Sequence, residues 1–386
     1  MNRKVFVLFA AACLSFSART VAAETDERTR VGSIVDAVVQ PMMVEGDIPG
    51  VAVGITVGGK EYVFCYGVAD KESGRRVTNE TIFEIGSLSK TFTGTLGAYA
   101  QVQGMLSLTD PASKYLPALS GTEFDRVSVL DLATFTAGGL PLQFPDEVTT
   151  DDQMIEFYRA WKPDQRPGTS RRYSNPSIGL YGYLAAKSMA LPFDELMQKH
   201  LLPGLGLKHS FITVPSSEIE NYAFGYTKEN KRIRVAPGMF DAEAYGVKST
   251  APDMLRFVEA NIDAGDGESA LHRAILQTHI GRYQVGPMGQ GLGWEIIKYP
   301  TNLDTLLAAN SSEMAFTPQK ATPIAPSALP LDNILINKTG STNGFAAYAA
   351  LVPQEKVGLV ILANKNFPIP ARVRAAYAIL SALDIQ

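Results

Sequence analysis

The sequence predicts an α/β chain of the α+β type: an antiparallel sheet flanked by the terminal helices, with an all-helical domain inserted between the sheet's two halves. Three observations predict it. Strand-like runs separated by tight turns occur near both ends of the chain, helical spacing brackets them, and from Ser87 to about Gln290 the texture is helical segments parted by Pro- and Gly-bearing loops. At 386 residues, 46% hydrophobic and 19% charged, the chain has enough apolar side chains for a large core and more length than one core usually fills.

Taken in order, Met1 to Lys4 carries two cations, an apolar run follows from Val5 to Leu14, and small residues end at Val21-Ala22-Ala23. That is the pattern of a cleaved secretory leader over 1–23, so the product is expected to be exported to the periplasm and not held in a membrane. Cleavage removes Arg3, Lys4, Arg19 and Cys13 and no acid, which leaves a more acidic chain with Cys65 alone, expected as a buried packing residue. Thr29 to Met43 places Val31, Ile34, Val35, Val38, Val39 and Met42 on one stripe, a first amphipathic helix. Val51–Val57 and Lys60–Tyr66, joined by Gly58-Gly59, form a hairpin. Helices are expected over Lys90–Gln103, Ser177–Ala190 and Ala251–Ile262, and a loop or linker over Thr317–Pro330. Ile334–Ile336, Gly344–Val352 and Val357–Leu362 are strands, and Ala371–Leu383 closes the chain as a helix. The sheet unit is therefore assigned to 24–85 and 308–386 and the helical unit to 86–307, with a ligand cleft where they meet.

Charge and composition exclude several chemistries. Thirty-five Lys and Arg against 39 Asp and Glu give no basic field for a nucleic-acid backbone. The four histidines, at 200, 209, 272 and 279, form neither HExxH nor HxH, so no metal site is expected. GxSxG, GxGxxG and a Walker-type loop are absent, and the glycines of 289–293 are read as a tight turn.

What remains is Ser87-Leu-Ser-Lys90 at the start of a predicted helix, where a spacing of three puts hydroxyl and amine on one face. A serine becomes a nucleophile when a base takes its proton, and a lysine serves once burial has lowered its pKa by about 3 units, roughly 3 to 5 kcal/mol. The helix N-terminus adds backbone N–H groups suited to an oxyanion. Ser-x-x-Lys alone has little weight, since about one chance copy is expected in a chain this long. Two further patterns change the weighing. Tyr173-Ser-Asn175 supplies a phenol and an amide, and Lys338-Thr-Gly340 follows the apolar run 334–336, where a strand would set an ammonium and a hydroxyl on a cleft wall. Each pattern occurs once, in this order.

With these motifs the chain resembles the serine β-lactamase and penicillin-binding protein superfamily, and closely its class C (AmpC-type) β-lactamases. Segments 83–94, 135–148, 173–179, 242–250, 291–295 and 338–372 carry the likeness. Tyr-x-Asn in place of Ser-x-Asn points to class C and its peptidase relatives. The resemblance implies the serine β-lactamase/DD-peptidase-like fold and hydrolysis of cephalosporins and penicillins through an acyl-serine, with no cofactor; oligomeric state stays open, with a monomer as the default expectation. It implies Ser87 as nucleophile, Lys90 and Tyr173 as a coupled base pair whose division of labour stays open, and Lys338 as a cation beside Tyr173. The backbone N–H groups of Ser87 and Ser341 would form the oxyanion hole, worth about 2.7 to 4 kcal/mol per donor. Gln143, Asn175, Tyr245, Thr339, Gly340, Asn366 and Arg372 would bind substrate. Ile369 departs from the family, which often has asparagine there, and puts a polar contact to the substrate carboxylate in question. The same residues would also suit a D-alanyl-D-alanine peptidase or esterase. A penicillin-binding sensor that acylates without turnover and an inert cell-wall interaction domain are further readings; Tyr173 with Lys338 argues against the first, and the presence of Ser87 and Lys90 against the second.

Overall fold

In the computed structural model, residues 6–325 and 332–383 are described, with side chains from 26 onward. The predicted leader, 1–23, lies outside the residues whose side chains are described.

The chain opens with helix α1 (Phe6–Glu45) and the hairpin β1 (Gly50–Val57) and β2 (Lys60–Gly67). It then enters the helical unit through α2 (Ser89–Val102), α3 (Asn175–Ser188), α4 (Ala251–Ile262) and α5 (Ala270–Thr278). Three short strands follow, β3 (Tyr283–Val285), β4 (Met288–Gln290) and β5 (Glu295–Lys298), then β6 (Thr322–Pro323), β7 (Ile334–Ser341), β8 (Ala346–Val352), β9 (Val357–Ala363) and helix α6 (Ile369–Ala382). All nine strands join one sheet in the order β6-β3-β4-β5-β7-β8-β9-β1-β2. The two chain ends meet where β1 pairs antiparallel with β9, Val53 opposite Ile361.

Alternation along the central strands builds the sheet's two faces. Val51, Val53 and Ile55 of β1, with Leu359 and Ile361 of β9, pack under Val31, Val35 and Val39 of α1 and Val373 and Ile379 of α6. Their neighbours Ala52, Val360 and Leu362 face the other way, onto Met254, Phe257 and Val258 of α4 and Phe92 and Leu96 of α2. Burying a side chain of this size contributes about 1.5 to 3 kcal/mol, so each face is a core in its own right. A third core, with Phe124, Phe135, Tyr158, Ile178, Leu180 and Leu184, lies within the helical unit.

The sheet flanked by terminal helices agrees with the sequence, but the inserted segment is not all helical. Strands β3 to β5 arise inside 86–307 and extend the large sheet. They are only three or four residues long and are broken by Gly286, Gly289, Gly291 and Gly293, so no alternating run was long enough to signal them. The turn expected over 289–293 links β4 to β5, with the Gly291 N–H donating to Trp294 O. The expected linker 317–330 holds β6 and a short pairing of Gln319 with Arg171; its residues 326–330 lie outside the described set. Cys65 is half-buried rather than buried, because β2 is an edge strand, and partial burial pushes its thiol up to about 11. Among the described residues no helix is long and apolar enough to cross a membrane.

Candidate active site

Ser87 sits in a turn of 3₁₀ helix, Gly86–Leu88, immediately ahead of α2. Its hydroxyl accepts from Lys90 Nζ at 3.0 Å, and the same ammonium donates to Ala244 O at 2.6 Å. Lys90 is fully buried. Burial is the largest cause of its depression to about 8, Lys338 pushes the same way, and Tyr173 opposes both. A shift of that size is roughly 3 kcal/mol against the charged form.

Tyr173 lies just ahead of α3, whose cap is the Ser174 hydroxyl accepting from Ser177 N–H. Its ring packs on Phe135 at 4.8 Å between centroids. Phe135 holds a φ of +63°, an uncommon conformation for a bulky residue, and its carbonyl accepts from Arg172 N–H. The loop thus fixes the Tyr173 segment from two sides. Lys90 Nζ, Lys338 Nζ and the Arg171 guanidinium stand 5.1, 5.2 and 5.5 Å from the centre of the Tyr173 ring. Burial alone would raise the phenol, but Lys338 and Lys90 outweigh it and hold Tyr173 below the usual tyrosine range. The phenol oxygen is buried and has no hydrogen-bond partner among the described residues.

Lys338 comes from β7, and its Nζ pairs with Glu295 Oε1 of β5 at 3.3 Å. Burial would lower it; Glu295 and Tyr173 together raise it, so it stays an ammonium. β7 reaches the serine turn because Gly340 and Gly86 both lack a side chain. A Cβ on Gly340 would stand 1.9 Å from Ile85 O, and one on Gly86, at φ +54°, would stand 2.4 Å from Ser341 N. That contact brings the backbone N–H of Ser341 up to the segment that carries Ser87.

These groups line a cleft of about 560 Å³. Of the residues expected from sequence, Ser87, Gln143, Tyr173, Asn175, Tyr245, Lys338, Thr339, Gly340, Ser341 and Asn366 line it, with Lys90 beneath the serine. Asn175 lines the cleft, and its buried Oδ1 has no hydrogen-bond partner among the described residues. Ile369 lines the cleft too, an apolar group on the wall. Arg372 does not. It is 1% exposed, and its guanidinium donates to the carbonyls of Gly340, Ala347 and Phe367 and, at 3.0 Å, to Asn366 Oδ1. It is a brace beneath β7 and Asn366 rather than a surface for substrate, because helix α6 turns it inward onto the sheet.

Two lining residues were missed in the sequence. Arg171, 1% exposed, donates to Gln290 Oε1 and Met314 O, and its Nη2 is 3.6 Å from Glu295 Oε1. Glu295 is the carboxylate that Arg171 and Lys338 share. Their signal was faint: an Arg next to the Tyr-x-Asn segment and a Glu after the 289–293 turn, far apart in the chain. Among the described residues no group of three His, Cys, Asp or Glu is placed to hold a metal ion.

A family model described as beta-lactamase matches residues 35–384. A curated beta-lactamase from Pseudomonas fluorescens is 53% identical over 357 residues, 92% of this chain and 99% of that protein. A solved class C beta lactamase superposes with a TM-score of 0.90 at 46% identity, covering 92% of this chain and 99% of the other. A class C beta-lactamase solved in complex with cefoxitin gives a TM-score of 0.89 at 45% identity over the same shares.

Proposed function

This chain belongs to the beta-lactamase family, and from that premise we propose that it opens the β-lactam ring of cephalosporins and penicillins through an acyl-serine at Ser87. The observation that carries the reading is the 3.0 Å contact of Ser87 Oγ with a buried Lys90 held near 8, beneath a tyrosine that two ammoniums depress. In the first half-reaction the Lys90–Tyr173 pair takes the Ser87 proton as Oγ bonds to the lactam carbonyl carbon. The negative charge that forms on oxygen is met by the N–H groups of Ser87 and Ser341. The ring C–N bond then breaks and the nitrogen receives the proton. In the second half-reaction the same pair takes a proton from water as it attacks the ester, and Ser87 leaves with that proton. No step requires a metal or organic cofactor.

Gln143 and Asn175 are suited to the acylamino group of the substrate, with Tyr245 as an apolar wall. Lys338, Thr339, Gly340 and Asn366 are suited to the carboxylate side, with Ile369 withholding a polar contact there. The cationic start, apolar run and small residues of 1–23 support export and a periplasmic address, and the working unit is taken as a monomer that acts on small molecules.

The test is to mix purified protein with a chromogenic cephalosporin, beside a Ser87→Ala control, and follow colour and covalent mass together. Sustained turnover that the control lacks is the expected result. A stoichiometric burst that stops at a stable adduct would replace hydrolysis with a sensing role, and loss of turnover on adding a chelator would contradict the metal-free chemistry.

A further inference from the structure

Glu84 stands three residues ahead of Ser87, in a short strand, Phe83–Glu84, that pairs with Lys248–Ser249. It is 1% exposed, and a carboxylate buried that deeply is costly unless it is hydrogen-bonded. One oxygen, Oε1, accepts from the Tyr222 hydroxyl at 2.6 Å and from the Val235 N–H at 2.7 Å. Oε2 is buried and has no partner among the described residues. Burial, and after it Glu84, hold the Tyr222 phenol above the usual tyrosine range, so it remains the donor. Val235 belongs to a stretch, 233–236, that lines the cleft together with Ser87. At one end of this wall Ile233 pairs with Gly225 and abuts the turn after Ser341, where a Cβ on Gly344 would stand 2.5 Å from Ile233 Cγ2. Arg234 lies over the Tyr222 and Phe224 rings at 4.0 and 3.9 Å and donates to the carbonyls of Tyr222 and Ala223. After Val235 the chain runs exposed through Ala236, Pro237 and Gly238. Among the described residues, the bond from Val235 to Glu84 is the one hydrogen bond that joins this wall to the segment 83–87.

We propose that Glu84 is a positioning residue for β-lactam hydrolysis: its Oε1 latches the wall 233–236 to the strand that leads into Ser87, and so sets how far the wall stands from the nucleophile. The inference rests on the β-lactamase reading above, because its effect is felt by a substrate in the cleft. Glu84 does not itself line that cleft and acts through Val235. The latch depends on where an acceptor atom sits. A glutamine keeps a carbonyl oxygen at the place of Oε1, and its amide nitrogen falls where Oε2 now stands, with no donor there to oppose it. An alanine leaves the Val235 N–H without its partner and frees the wall to move away from the serine.

The experiment measures steady-state hydrolysis of a chromogenic cephalosporin by wild type, Glu84→Ala, Glu84→Gln and Tyr222→Phe, beside hydrogen exchange at the Val235 amide. Glu84→Ala should raise KM about tenfold and leave kcat within about threefold. Glu84→Gln should bring KM back to within about threefold of wild type, and Tyr222→Phe, which leaves the Val235 bond in place, should stay within the same range. Exchange at Val235 should quicken about tenfold or more in Glu84→Ala while the amides of β8 and β9 stay protected, which shows that the variant is folded. The latch alone is overturned by a fall in kcat at unchanged KM, by Val235 exchange at the wild-type rate in Glu84→Ala, or by a Glu84→Gln or Tyr222→Phe as impaired as Glu84→Ala. Loss of protection in β8 and β9 as well would mean that Glu84 holds the fold and not the wall, and the proposal falls. A wild-type protein that hydrolyses no cephalosporin overturns the β-lactamase reading and the positioning role with it.

Discussion

Glu295 Oε1 lies 3.3 Å from Lys338 Nζ and 3.6 Å from Arg171 Nη2, so one buried carboxylate is shared by two cations on the floor of the cleft. Both cations also face the Tyr173 ring. The carboxylate therefore counters the field that depresses the phenol: Lys338 lowers Tyr173 and Glu295 raises it. For Lys90 the signs are the same, Lys338 lowering and Glu295 raising.

Removing each partner should consequently move the ascending limb of the pH profile in opposite directions. With Lys338→Met a positive neighbour is lost, the pKa values of Tyr173 and Lys90 both rise, and the limb of kcat/KM moves to higher pH. With Glu295→Gln a negative neighbour is lost while a hydrogen-bond acceptor is kept, both values fall, and the limb moves to lower pH. Shifts of about half a unit to one unit are expected. Stopped-flow hydrolysis of a chromogenic cephalosporin from pH 5 to 10 reads them (about five units spans both limbs). Movement in the same direction in both variants would reject this account of the field.

Lys90→Arg should abolish acylation rather than retune it. An arginine stays protonated throughout the working range, and the fully buried site offers no room for a guanidinium between Ser87 Oγ and Ala244 O. A fall of about 10² to 10⁴ in the acylation rate is expected, followed by mass spectrometry of the adduct. Acylation at the wild-type rate would remove Lys90 from the base pair.

Gly340 and Ser341 should respond in opposite ways to the same replacement. Gly340→Ala drives a methyl group to 1.9 Å from Ile85 O, which must push β7 off the serine turn and separate the two N–H groups meant for the oxyanion. Activity should fall by roughly 10² or more, and thermal stability should fall with it. Ser341→Ala changes a side chain whose proposed role is through its backbone N–H, so turnover should stay within about twofold. Comparable losses in the two variants would mean that the Ser341 hydroxyl, not its amide, matters.

Much of this was legible in the sequence because it is local. Ser87 and Lys90 meet through one turn, Thr29–Met43 repeats at helical spacing, and apolar runs mark the strands at 334–336, 344–352 and 357–362. What escaped depends on contacts between distant segments. Glu295 and Arg171 are separated by 124 residues and acquire meaning only when β5 lies beside β7 and the Tyr173 segment. Arg372 was expected at the substrate and lies under it, because a motif gives a residue's place along the chain but not the direction in which its helix turns it. Strands β3 to β5 are too short for alternation to be seen; it is pairing into an existing sheet that defines them.

The four histidines were set aside for catalysis, but one of them should govern acid stability. His279 closes α5 and is buried, with Nε2 2.9 Å from Asn261 Oδ1 of α4. Because the Asn261 amide nitrogen donates to Phe257 O, its Oδ1 must accept, and Nε2 carries the proton of a neutral imidazole. Burial drives this histidine down to about 3 from an ordinary 6.5. A native pKa below the unfolded one means that the unfolded chain binds the proton first as pH falls. The contribution is therefore whole above about 6.5 and is lost progressively toward about 3, on the order of 5 kcal/mol in all. His279→Gln keeps an N–H donor for Asn261 and cannot titrate. It should be less stable than wild type at neutral pH, by about 1 to 2 kcal/mol for imperfect packing. It should also lose about 3 kcal/mol less than wild type on going down to pH 4, an acidity chosen as roughly one unit above the native pKa. Urea midpoints across that range measure the difference, and curves that run parallel for the two proteins would show that His279 is not the group whose protonation unfolds the α4–α5 contact.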